Sequence, residues 1–122
     1  MSPAQLLRWQ WDGYPRNHAG RFNLLLHVLV VPVFLVGNVV LVVAILRGSW
    51  LAAVLGGAAM AMSVALQGRG HARERVAPEP FTGAANALGR IFVEQWITFP
   101  RFVLSGGWLA AWRRDRAQPA DA

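Results

Sequence analysis

At 122 residues the chain has room for one domain, and without cysteine it can form no disulfide, thiolate metal site or cysteine nucleophile. Hydrophobic residues make up 55% of it, and the net charge of +6 is carried by arginine alone. The apolar residues come in blocks and the arginines flank those blocks instead of forming one stripe with stacking aromatics, which favours a membrane protein over a nucleic-acid binder.

In chain order, Gln5–Trp11 reads as a short amphipathic stretch. Its indole rings suit the headgroup level of a bilayer. Asp12-Gly13-Tyr14-Pro15 should break it, and a second helix should begin near Asn17, a good capping residue. Residues 1–23 have no apolar core, so no cleavable signal peptide is expected.

Two uncharged runs follow, Leu24–Leu46 and Ser49–Leu66, separated by Arg47-Gly48. As helices they would measure about 34 Å and about 27 Å, against a hydrocarbon core of about 30 Å. The expected fold is therefore all-α: a membrane-spanning helical hairpin, about 24–46 and 49–75, with short amphipathic or interfacial helices at both ends. Pro32 should kink the first helix and release the carbonyl of Val28. On the second, Ala53, Gly57, Ala61 and Ala65 recur every fourth residue, a stripe on which helices pack closely in lipid. The partner is either the first helix or another subunit, so a homo-oligomer through Ala53, Gly57 and Ala61 is one expectation.

Arg8, Arg16 and Arg21 precede the hairpin and Arg69, Arg73 and Arg75 follow it, whereas the turn has only Arg47. The positive-inside rule then puts both termini in the cytoplasm, in a bacterial inner membrane. Residues 76–83 read as a loop. Ala84–Thr98 reads as a helix with Arg90 and Glu94 as an i, i+4 pair, and Arg101–Trp112 as a segment too short to span. Both are expected at the interface, packed under the hairpin or forming a re-entrant pair. One domain covers 1–116, and 117–122 is expected to be a disordered tail.

A hairpin returns both its ends to one membrane face. All three histidines lie near those ends, so His18, His27 and His71 should meet at one mouth. Asn23 and His27 share a helix face, and Gln67, Gly70, His71 and Glu74 form one stripe. His18 lies nine residues before His27, so a break must separate them. Ionisable groups at membrane depth are costly and face partners or a wet cavity. Three imidazoles and a carboxylate suit Fe(II) or Zn(II), and two histidines with one carboxylate is the arrangement of non-haem iron oxygenases. The expected metal ligands are His18, His27, His71 and Glu74, the histidines being the catalytic residues, with Asn23 or Gln67 orienting a ligand ring. Arg69, Arg73 and Arg75 are candidate clamps for a substrate carboxylate, or anchors on lipid phosphate. The bland alternative is that each histidine only satisfies a hydrogen bond at a helix interface.

The pattern His18-x4-Asn23-x3-His27-x4-Pro32, followed by Gln67-x2-Gly70-His71 with Glu74 and Pro78, resembles a small family of membrane proteins, the Mpo-like family. Its characterised fungal member is an Fe(II)-dependent dioxygenase of 2-hydroxy fatty acids in the endoplasmic reticulum, acting in the metabolism of phytosphingosine to odd-numbered fatty acids. The resemblance covers residues 14–81. Val30 stands where the family has glycine, and Glu74 follows His71 by three residues where the family has about four. What the resemblance implies is Fe(II) as cofactor, a fatty-acid substrate and dioxygen as partners, no nucleic acid, and loss of one carbon from the acid. The competing expectations are a non-catalytic membrane protein that organises lipids or a partner complex, and a zinc-dependent lipid hydrolase.

Overall fold

A computed structural model of the chain describes residues 1–117, and those residues are all-α, with no strand among them. The expected tail lies outside the described residues, apart from Ala117, which ends the last helix.

Helix α1, Pro3–Asn17, starts in a capping box: the Ser2 hydroxyl accepts from the Gln5 N–H while the Gln5 side chain accepts from the Ser2 N–H. The expected break at Asp12–Pro15 does not occur, and α1 runs straight through Pro15. A proline removes a single backbone donor, and this one lies in the last turn, close to where the helix ends anyway. Tertiary bonds hold the stretch as well: Gln10 donates to the Arg90 carbonyl and Tyr14 to Glu94. The break comes at His18–Gly20, and α2 starts at Arg21 instead of near Asn17.

Helices α2 (Arg21–Leu46) and α3 (Trp50–Ala72) form the hairpin, joined by a turn in which Gly48 has a positive φ of 69°. Both are long and apolar enough to cross a membrane. Much of their apolar surface faces outwards: Val36, Val39, Leu46, Leu51, Val54 and Leu55 are all exposed. The faces that meet are lined by small residues. A Cβ added to Gly37 would lie 2.8 Å from the Gly56 carbonyl oxygen, and one added to Gly56 would lie 2.7 Å from that of Gly37. Backbones thus touch, as small residues allow in lipid. The buried stripe of α3 is Ala53, Gly56, Ser63, Gln67 and Gly70. Only Ala53 of the expected stripe belongs to it. Ala61 and Ala65 are exposed, and a Cβ on Gly57 would meet open space.

After a non-helical segment over 73–83, helix α4 (Ala84–Val93) passes into a π-helical stretch, Glu94–Thr98, and on into α5, Phe99–Leu104. A turn at Ser105-Gly106 leads to α6, Gly107–Ala117. The wide π turn lets the adjacent residues Glu94 and Gln95 both point inwards, and π turns of this kind recur at functional sites. This arm crosses the mouth of the hairpin. Phe92 meets Phe34, Phe99 meets His27, Phe102 meets Tyr14, and the Trp108 indole donates to the Leu24 carbonyl. The core made by Tyr14, Leu24, Val31, Phe99, Phe102 and Ala111 therefore lies directly beside the histidines.

Candidate metal centre

Four elements deliver one group of ligand atoms. His18 comes from the break after α1, His27 from the second turn of α2, His71 from the last turn of α3 and Glu94 from the start of the π stretch. One candidate ligand atom from each lies within 4.8 Å of all the others. The three imidazole rings stand nearly perpendicular to one another, with centroids 4.6 to 5.0 Å apart.

Backbone carbonyls set the tautomers. His18 Nδ1 lies 3.0 Å from the Tyr14 carbonyl oxygen, and His27 Nδ1 lies 3.0 Å from that of Asn23. A carbonyl can only accept, so each Nδ1 carries the proton and each neutral ring presents a bare lone pair at Nε2. Those two Nε2 atoms face each other at 3.3 Å, and Glu94 Oε1 lies 3.2 Å from the first and 3.4 Å from the second. Three acceptors at this spacing repel unless a metal ion or a proton sits among them. Neighbouring ligands at bonds of about 2.0–2.1 Å stand about 2.8–3.0 Å apart in octahedral and about 3.3–3.4 Å apart in tetrahedral geometry, so the spacing is near that of a first-row divalent ion's ligands, closer to the tetrahedral value. His71 Nδ1 adds a buried ring nitrogen that makes no hydrogen bond. The donor set, imidazole with carboxylate, suits Fe(II) or Zn(II) alike.

Charge follows from the packing. Burial works against ionisation of Glu94, yet hydrogen bonds and charge from His18 and His27, which act when those rings are protonated, hold its carboxyl well below the usual range. Burial pushes His18 down, with the bond to Glu94 offsetting part of that effect. Burial, with the Glu94 carboxylate beside it, raises Tyr14 well above the ordinary phenol.

Glu94, not Glu74, joins the histidines. Glu74 turns the other way: its carboxylate accepts from the N–H groups of Ala19 and Gly20 at 3.0 to 3.3 Å and from the Asn23 amide at 3.1 Å. An anion is stabilised at the start of α2 by the free N–H groups there, and that outweighs any pull towards the ring nitrogens. Glu74 thus ties the end of α3 to the start of α2 and fixes where His18, His27 and His71 sit relative to one another.

Asn23 and Gln67 do not orient ligand rings through their side chains. Asn23 serves His27 through its backbone carbonyl, because an i−4 carbonyl already lies under the ring of a helical histidine. Its amide donates to Asn17 and Glu74, and its Oδ1 is pressed against Gly70, where a Cβ would collide with it. Gln67 pairs with Gln95 through two reciprocal amide bonds of 2.8 and 2.9 Å, and accepts no role at the rings. Its amide also reaches Ser63, whose hydroxyl donates to the Val30 carbonyl at 2.6 Å. The acceptor that α3 satisfies is thus that of Val30, two residues on from Val28.

A cavity of about 930 Å³ opens onto the cluster, with Tyr14, His18, His71 and Glu94 in its wall. That volume lies within the range of small-molecule sites. Its arginines are Arg16 and Arg90. Arg69, Arg73 and Arg75 are exposed and do not line it; Arg73 instead lies over the Phe22 ring at 3.9 Å. Arg90 makes no ion pair with Glu94. It donates to the carbonyls of Glu79 and Pro80 and lies over the Trp9 and Phe81 rings, which fastens the 73–83 segment along the cavity.

No family model, curated protein or solved structure matches this chain.

The sequence offered a signal for Glu94 that helical spacing with Arg90 concealed. It is the one carboxylate in the apolar stretch Ile91–Ile97, and a lone carboxylate among apolar residues needs a cationic or hydrogen-bonding partner. Tyr14, Gln95 and Thr98 carried no comparable signal, since their roles depend on which helices meet.

Proposed function

We propose that this chain is an integral membrane, Fe(II)-dependent dioxygenase that shortens 2-hydroxy fatty acids by one carbon. The observation that carries the proposal is the convergence of two bare Nε2 atoms, the third imidazole and the Glu94 carboxylate at the wall of a cavity, beside two helices coated with exposed apolar side chains. The pattern of His18, Asn23, His27, Gln67, Gly70 and His71 supports the same reading through its family resemblance.

The overall reaction balances as R–CH(OH)–COOH + O2 giving R–COOH + CO2 + H2O. The bond between carbons one and two breaks, and dioxygen is the oxidant. His18, His27, His71 and Glu94 would hold the ion, and what Fe(II) supplies when bound is the electron transfer that activates dioxygen. The chain's own residues do the rest. The Nδ1–H bonds to Tyr14 and Asn23 keep two lone pairs aimed at one point. Phe99 and Phe102 keep water from the side away from the cavity. Arg16, which lines the cavity, is the cation we assign to the substrate carboxylate, in preference to Arg69, Arg73 and Arg75. The acyl chain stays in lipid. The arginines at the mouth favour a bacterial inner membrane with both termini cytoplasmic.

The test is oxygen uptake by the detergent-purified protein loaded with Fe(II), on addition of a long-chain 2-hydroxy fatty acid. Uptake that yields the acid one carbon shorter, and is lost in His71→Ala, supports the proposal. Activity with zinc and without oxygen would replace it by a lipid hydrolase.

A second reading rests on the outward face of α3, where Gly57, Ala61 and Ala65 are left unused by the hairpin. It makes the chain a non-catalytic organiser of lipids or of a complex of its own copies. A triple histidine-to-alanine variant that keeps its oligomeric state and its cellular role would favour it.

A further inference from the structure

Tyr14 touches two of the four candidate ligands in three ways. Its hydroxyl donates to Glu94 Oε1 at 3.0 Å, the same oxygen that faces both Nε2 atoms. Its ring stacks on His18, with centroids 3.7 Å apart and planes 13° from parallel. Its backbone carbonyl accepts the Nδ1–H of the same histidine. The residue is 2% exposed, and Phe102 closes the ring from the side at 5.0 Å.

These contacts divide into two kinds. The carbonyl and the ring fix the tautomer and the plane of His18, and any aromatic residue at position 14 would supply them. The hydroxyl acts on Glu94 alone. A carboxylate in a metal site has two oxygens and rotates easily between using one and both. A donor held on Oε1 fixes the rotamer and draws charge from that oxygen, which is how outer partners tune ligating groups. Serine or phenylalanine in place of tyrosine would lose one kind of contact or the other.

We infer that Tyr14 is a positioning residue of the metal centre, whose hydroxyl sets how Glu94 engages the ion. The inference rests on the metal-site reading above and needs no particular substrate. It separates position 14 from Gln67, Gln95 and Thr98, which are buried and hydrogen-bonded nearby but make no bond to a candidate ligand.

Tyr14 is the only tyrosine in the chain. Growth on 3-fluorotyrosine therefore labels this one side chain without a mutation, and 19F NMR reads it directly. Co(II), which takes the same donors and is paramagnetic, serves as the probe. The expected result is a single fluorine resonance that shifts or broadens beyond detection as Co(II) binds, and that moves in the metal-free Glu94→Gln variant. Tyr14→Phe keeps the stack and the carbonyl. It should bind Co(II) about tenfold more weakly and show altered visible Co(II) bands. A resonance indifferent to bound Co(II), or a Tyr14→Phe protein with the parent's bands and affinity, would overturn the inference and leave the metal centre standing. Failure of the parent protein to bind Co(II) at all would overturn both. If Tyr14→Phe does not fold, an unmoved fluorine resonance in metal-free Glu94→Gln would still overturn the inference.

Discussion

The two ends of the hairpin solve opposite problems. At the turn, Leu46, Trp50 and Leu51 are 81%, 74% and 74% exposed, and the residues the helices bury there are small: Gly37, Ala44, Ala53 and Gly56. Nothing there is polar and buried, and such a surface suits lipid. At the mouth, His18, Asn23, His27, Gln67, Gln95 and Thr98 are all buried, and an extra layer made of α1 and the α4–α5 arm covers them. Burying so many polar groups is costly unless each finds a partner. Most do: the buried side-chain atoms without a partner are His71 Nδ1 at the site and, outside it, Asn23 Oδ1 and Arg21 Nη2, while the Nε2 atoms of His18 and His27 face each other. The turn end holds the hairpin together, while the mouth gives up stability to gather a set of electron donors that a metal ion or a proton must reconcile.

Breaking the mouth should have the largest effect. In His27→Ala and in Glu94→Gln, bound metal measured by mass spectrometry should fall to background, a loss beyond the roughly 10–100-fold typical of outer partners. Far-UV circular dichroism should stay helical in both, because the hairpin is held at the other end. Full metal content in either variant would remove that residue from the site.

Breaking the turn end should do the reverse. Gly56→Leu pushes a side chain into the Gly37 carbonyl and the backbone of Leu41. Overpacking of this kind typically costs about 1–3 kcal/mol, and two backbones in contact put this case at the upper end. Thermal unfolding in detergent should show a clear drop in Tm, whereas metal bound per folded chain should not change.

Glu74 links the two regions. Glu74→Gln keeps the shape and removes the charge on which the N–H groups of Ala19 and Gly20 converge. Hydrogen bonds to charged groups are worth about 1.5–3 kcal/mol, so this variant should lose stability in that range and bind metal more weakly without losing any ligand. Wild-type affinity would show that the juncture of α2 and α3 is set without it.

The smallest effect is expected on the lipid face. Gly57→Leu meets open space and should alter stability by no more than about 0.5 kcal/mol. A large loss, accompanied by a change in oligomeric state on size exclusion, would shift weight to the reading in which α3 packs against a second copy.

The all-α class and the hairpin were legible because they follow from run length and hydrophobicity, which need no knowledge of packing. The meeting of His18, His27 and His71 was legible for a related reason: a hairpin of two similar runs must return its ends to one level, and the break that His18 required lies at His18–Gly20. Helical periodicity also gave the stripe with Gln67, Gly70 and His71, though it could not say what each residue meets. It misled at Glu74, which continues the stripe of His71 but lies beyond the end of α3 at Ala72, where its side chain turns to the N–H groups of α2.

By itself, then, the sequence determined two apolar helices of membrane length, a polar mouth with every histidine in it, and a positive rim around that mouth. These are properties of single segments, set by composition and by the 3.6-residue period. Tertiary structure alone decided that the carboxylate comes from Glu94, sixty-seven positions beyond His27 and inside a π turn, and that Tyr14 holds it. Which distant side chain fills a gap among three imidazoles depends on how an arm of helices crosses the hairpin, and no local pattern encodes that crossing.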